Sequence, residues 1–173
     1  MNIFYLDHDP VIAARYHNKS HCIKMILETA QLLSTAHALL DGEKVGKKYL
    51  HSNQLLYKPT HMNHPSAKWV RHNTTCYDWG AQLLYALCDE FEHRQGKVHK
   101  TRSIGLSDWL LHNRPKNLPT GEFVPPFIAI DESFRLPGVD TLTQYRHYYM
   151  TAKRRLADWS GKINSRQQPP WFI

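Results

Sequence analysis

The sequence predicts an all-α fold. Three observations carry that reading. Two stretches of about twenty residues repeat their apolar positions at helical spacing. Strand-like alternation is scarce, with no βαβ rhythm and no internal repeat. Punctuation at the ends of the periodic stretches is of the helix-capping kind, Asp-x-x or Asn before and Gly after.

Taken in order, Asn2 to Leu6 is short and apolar. Asp7 or Asp9 is placed to cap a helix that has Pro10 in its first turn and continues VIAARYH. Ser20 reads as the cap of the longest helix, HCIKMILETAQLLSTAHALL, which Asp41-Gly42 ends. Residues 42–60 read as a basic loop. His64-Pro65 opens a helix over PSAKWVRH, and Asn73 or Thr74 caps another, CYDWGAQLLYALCDEFEHRQ, closed by Gly96. A short helix follows near SDWLLHN. Residues 114–139, dense in Pro and Gly, have no helical period and read as an ordered wrapping loop. Asp140 starts a last helix, read as TLTQYRHYYMTAKRRLADW, before a polar and then aromatic tail. These readings make 1–173 a single domain, with a core over 1–113, the loop 114–139, and the C-terminal helix and tail 140–173.

Composition limits the function. The 173 residues include 22 Lys+Arg against 15 Asp+Glu, a net charge of +7 that favours an anionic partner. No apolar run is long enough to span a membrane. The N-terminus carries acids early and does not read as a signal peptide. Cys22, Cys76 and Cys88 lack CxxC spacing, which argues against a disulfide scaffold or a Cys-rich zinc site, and a reducing cytoplasm is the expected compartment. P-loop, GxGxxG, HExxH and GxSxG motifs are absent from the sequence.

Four clusters are candidates for chemistry. On the helix from Ser20 to Leu40, His21, Lys24, Glu28, Gln31 and Thr35 fall within about 80° of arc, while most other positions are apolar or small. A polar stripe that narrow suits either a surface Lys24–Glu28 pair or ionisable groups held for use. His61 and His64, with Arg71 beyond them, fit loop structure or a phosphate contact better than a metal, because no acid or Cys lies at ligand spacing. HRQGKVHKTR places Arg94, Lys97 and Lys100 at a helix end, as a solvated terminus or a phosphate patch. From Thr141 onward there are six Lys/Arg (Arg146, Lys153, Arg154, Arg155, Lys162, Arg166) against one acid, Asp158, interleaved with Tyr and Trp. Cations hold phosphates and aromatic faces stack on bases, so this region is expected to contribute to nucleic-acid contact.

The run HNKSHCIKMILETAQLL resembles small phage-borne proteins similar to the pyrimidine-dimer DNA glycosylases of the endonuclease V (excision repair) type. That family has a His and, seven residues later, a catalytic Glu, the spacing of His21 and Glu28. AQLLYALCDEFEHRQGK is similar to its second long helix, and the tail ending PPWFI has a similar character. The match is loose and covers about half the chain. Where the family has Arg beside and just after its Glu, this chain has Leu27 and Gln31.

The resemblance implies a bifunctional glycosylase/AP lyase acting on damaged or modified bases, without metal or cofactor. Its nucleophile is an N-terminal α-amine, here that of Met1, because Asn at position 2 disfavours Met removal. α-Amines as a class titrate about 7.7–8.0, so a useful neutral fraction exists at pH 7. Glu28 would stabilise the cationic sugar and move protons. His21, Lys24 and Arg71 would hold flanking phosphates. Double-stranded DNA is the expected partner and a monomer the expected state. The competing readings are another nucleic-acid- or nucleotide-modifying enzyme on the same scaffold, and a non-enzymatic nucleic-acid-binding protein.

Overall fold

The computed structural model describes residues 1–41, 50–51 and 54–173. Seven α-helices build it: α1 (Pro10–Tyr16), α2 (Lys19–Leu40), α3 (Pro65–Val70), α4 (Thr74–Gln95), α5 (Lys100–Ser103), α6 (Leu106–His112) and α7 (Thr141–Met150). The protein is all-α. Beside the helices the described residues hold one two-residue antiparallel pair, β1 (Leu50–His51) with β2 (Gln54–Leu55). The basic loop expected over 42–60 lies in part outside the described residues.

The helix starts follow side-chain chemistry. Asp9 accepts from the Val11 and Ile12 amides ahead of Pro10, and Asn73 accepts from the Cys76 amide at the head of α4. α2 is capped by Asn18, not Ser20: the Asn18 side chain accepts from the His21 amide, and Ser20 lies inside the first turn. Both residues are good caps. Asn18 wins because Lys19 N–H bonds the Asp158 carbonyl at 2.6 Å, which fixes the chain entry two residues earlier. Gly96 ends α4 with φ 67°, a left-handed cap that a side chain would strain.

α2 and α4 form the central pair, with α1 laid on α4 and α3 and α6 on the flanks. Ile26, Ala30 and Leu33 of α2 and Leu83, Leu84 and Leu87 of α4 are buried between them. Ile3-Phe4-Tyr5-Leu6 is not helical, but all four side chains are buried, so the N-terminal segment is threaded into the core as an extended strap. The 114–139 segment wraps α3 and α4. Trp69 Nε1 donates to the Val124 carbonyl, Asn73 Nδ2 to that of Glu122, and the Thr74 amide to that of Pro119.

The last helix is shorter than its sequence suggests. α7 stops at Met150, Thr151 leaves helical geometry (φ −104°, ψ −84°), and one 3-10 turn follows at Arg154–Leu156. Nothing in TAKRRLADW breaks a helix by propensity. The chain turns because Asp158 and Trp159 must reach the α1–α2 junction, where Trp159 Nε1 donates to the Tyr16 carbonyl at 2.9 Å. Among the described residues no helix is long and apolar enough to cross a membrane.

Candidate active site

Glu28 is the centre of the site. Its place on α2 sets the carboxylate against the start of the chain, which the buried strap holds there. The Met1 α-amine lies 3.8 Å from Glu28 Oε2, and the Asn2 amide donates to the same oxygen at 3.2 Å. The other oxygen, Oε1, is 3.2 Å from Lys24 Nζ. The Lys24 side chain is 67% exposed and that of Glu28 only 13%, so a surface lysine reaches inward to a recessed carboxylate.

These groups line a pocket of ≈ 190 Å³ together with Phe4, His21, Tyr148 and Lys153. Three cationic groups, the amine, Lys24 and Lys153, face one carboxylate, so the pocket favours an anionic ligand. Its volume is below the roughly 300–1,000 Å³ of a drug-sized ligand site, which suits a single base or sugar ring. A larger open hollow of ≈ 490 Å³ lies elsewhere, lined by Asp78, Gln82, Leu111, His112 and Arg114. Its charged groups neutralise each other, since Arg114 Nε donates to Asp78 at 2.6 Å. It lacks the amine and carboxylate pair.

The position of the amine is held from residue 2. Asn2 Nδ2 donates to the Ala129 carbonyl at 3.1 Å, and Asn2 Oδ1 accepts from the Ile3 amide and the Tyr145 hydroxyl at 2.8 and 3.0 Å. The wrapping segment and α7 thus both hold the end of the chain.

The remaining expected site residues divide. His64 caps α3 through its Nδ1 and has a lowered pKa, first from burial and then from the positive charge of the Met1 amine and His61, against the pull of Glu28. It therefore lies within electrostatic reach of the site. His61 is exposed beside it, ring centroids 6.5 Å apart. Arg71 ends α3, where its Nη1 is buried with no hydrogen-bond partner among the described residues and burial lowers the pKa. Gln31 is half-buried one turn beyond Glu28 and does not line the pocket. Lys97, Lys100, Arg154 and Arg155 are exposed. Arg154 donates to the Ile173 carbonyl at 2.9 Å.

One expectation, that for Arg94, is corrected, and those for Arg146 and His21 are narrowed. Arg94 is 0% exposed and closed to any phosphate. Its Nε donates to Glu90 at 2.6 Å, and its two terminal nitrogens donate to the His17 and Arg15 carbonyls. Arg146 is committed within the protein, donating to the Leu6 carbonyl and pairing with Asp7 at 3.1 Å beneath the Trp171 ring. His21 lines the pocket but is no cationic contact, because burial, helped by the charges of His17, Lys153 and Lys24, pushes its pKa down to about 3.

Sequence reasoning passed over Phe4, Tyr148 and Lys153 as pocket residues. Lys153 sits 5.0 Å over the Tyr148 ring. The signal for Tyr148 was its place in the Tyr145, Tyr148, Tyr149 series, of which it is the one left half-exposed. Among the described residues no group of three or more His, Cys, Asp or Glu is placed to hold a metal ion.

Two of the buried histidines, His17 and His21, give the fold a pH dependence. Burial pushes the His17 pKa down to about 4, and its Nε2 has no hydrogen-bond partner among the described residues. Both His17 and His21 return to about 6.5 on unfolding. Their folded values are depressed, so the unfolded chain takes up protons first as pH falls. The stability is whole above about pH 6.5 and is lost on the way down to the folded values. By linkage, urea unfolding is expected to show a loss of roughly 3–4 kcal/mol between pH 7.5 and 5. His17→Gln should about halve that loss, and an unfolding free energy flat over this range would refute it.

Comparison with protein-family models, with curated proteins and with solved structures finds no match for the chain.

Proposed function

We propose that the protein is a DNA glycosylase and AP lyase acting on damaged or modified bases of the pyrimidine-dimer type, through a Schiff base on the Met1 α-amine. The observation that supports this reading is the amine 3.8 Å from Glu28 Oε2, in a recessed pocket rimmed by lysines. An amine needs a nearby base to take its proton and a nearby anion to stabilise positive charge on a sugar, and Glu28 is placed for both.

In this mechanism a damaged nucleotide is flipped into the pocket, at a cost of a few kcal/mol that damage partly relieves. The neutral amine attacks C1′, the glycosidic bond breaks, and its electron pair leaves with the base. Ring opening gives the imine, while Glu28 carries the proton shed by the amine. Loss of a C2′ proton then expels the 3′ phosphate by β-elimination, and hydrolysis of the imine frees the amine. Lys24 and Lys153 hold the phosphates on either side of the nucleotide, and His64 and Arg71 extend that contact along α3.

Sodium borohydride tests the reading. On a duplex carrying an abasic site, the reading predicts a covalent protein–DNA adduct whose modified residue is Met1. One extra residue ahead of Met1 should remove the adduct, because the amine is displaced from Glu28 by a whole residue. No adduct, or an adduct and full strand cleavage with the extended chain, would sink the Schiff-base mechanism. A requirement for Glu28 without trapping would then favour another nucleic-acid-modifying activity at the same pocket.

A further inference from the structure

His21 and Tyr149 form a buried pair at the back of the pocket. Tyr149, on α7, is 1% exposed, and its hydroxyl lies 2.6 Å from Nδ1 of His21. Aromatic rings enclose the pair. Phe4 stacks on the imidazole with centroids 4.4 Å apart and meets Tyr149 edge-on at 5.2 Å, and Trp171 covers the tyrosine from 6.2 Å.

Among the described side chains, Nδ1 of His21 is the acceptor available to that hydroxyl. A buried O–H without an acceptor costs about 1–3 kcal/mol, so the phenolic proton goes to Nδ1. Burial also raises the Tyr149 hydroxyl well above the usual tyrosine range, against the pull of the Asn18 backbone amide, so it stays protonated. A neutral imidazole with Nδ1 accepting carries its proton on Nε2. With Nδ1 turned onto Tyr149, Nε2 is the nitrogen left for the pocket that His21 lines.

We propose that Tyr149 is a positioning residue that fixes His21 as a neutral Nε2–H donor, and that His21 uses this donor on an uncharged sugar or base oxygen of the bound nucleotide. The nature of that ligand rests on the function proposed above, but the tautomer does not. The groups facing His21 agree with a neutral ring. His17 on the α1–α2 junction, Lys153 after α7 and Lys24 on its own helix all disfavour protonation, the Met1 amine also lines the pocket, and Glu28 is the pocket's one carboxylate. His21 thus selects by hydrogen-bond geometry, and the lysines supply the charge.

Long-range ¹H–¹⁵N spectra of the uniformly labelled protein test the tautomer without substrate. The expected result is an Nε2–H tautomer for His21 that does not titrate between pH 8 and 5. An Nδ1–H tautomer, or a His21 midpoint between pH 6 and 7, overturns the proposal. Tyr149→Phe should release the ring to a mixed tautomer. On an abasic duplex it should slow single-turnover cleavage on the order of 10-fold, with DNA affinity and its salt slope changed less than about 2-fold. A merely structural tyrosine would lower the melting temperature and leave the tautomer as it was, and that outcome also overturns the proposal. If no lyase activity exists, the spectra still decide the tautomer, so the two readings fail separately.

Discussion

Glu28→Gln is expected to slow base release and strand cleavage by about 10²–10⁴-fold, with duplex binding kept within about threefold. Glutamine has nearly the shape of glutamate but takes up no proton and carries no charge. In the protein, Oε2 faces the Met1 amine and the Asn2 amide, and Oε1 faces Lys24. An amide at position 28 must turn its NH₂ toward one of these donors, so it loses a hydrogen bond as well as the base. Removing a negative charge from a cationic pocket does not weaken the attraction for phosphate, and the salt dependence of binding should hold or steepen. Single-turnover cleavage and borohydride trapping on one abasic duplex separate these effects. Cleavage by Glu28→Gln within tenfold of the parent would remove Glu28 from the chemistry.

Arg94→Met is expected to destabilise the fold by about 3–5 kcal/mol, because it breaks a buried ion pair and leaves its partners behind. Burial alone would raise the Glu90 pKa, yet hydrogen bonds from Arg166 and Arg94 outweigh it and hold the carboxyl below its usual range. Without Arg94, Glu90 keeps the half-buried Arg166, whose two nitrogens bond it at 2.9 and 3.0 Å. The Arg15 and His17 carbonyls at the end of α1 lose their donors altogether. Those residues lead directly into Asn18 and His21, so the loss also loosens the back of the pocket. Urea unfolding at pH 7.5 measures it. Adding Glu90→Leu to Arg94→Met should bring no recovery, since Glu90 still pairs with Arg166 and its removal leaves that guanidinium without its partner. A single variant that unfolds within 1 kcal/mol of the parent contradicts this account.

Much of the fold is legible in the sequence, because its signals are local. Asp9 with Pro10, Asn73 and Gly96 act within one turn of the helix ends they mark, and apolar spacing places α2 and α4. The candidate site is legible where it is local too: His21, Lys24 and Glu28 share one helix face. What escapes is set by distant partners. Arg94 looks like one more basic residue at a helix end. It is buried because Glu90, four residues earlier, pairs with it and the end of α1 supplies carbonyls. The end of α7 is decided at the α1–α2 junction, and the role of Tyr149 by a histidine 128 positions earlier. No periodicity reports such pairings.

The hold on Asn2 has a consequence for the order of events during synthesis. Glu28 follows the amine by few residues, but the groups that seat Asn2, Ala129 and Tyr145, lie 127 and 143 residues downstream. At about 5–20 residues per second, a ribosome takes several seconds or more to deliver them. Through that interval Met1 and Asn2 lack the partners that fix them beside Glu28. Once α7 docks, the same amine is recessed. The pairing of amine and carboxylate is therefore completed only when the last helix arrives.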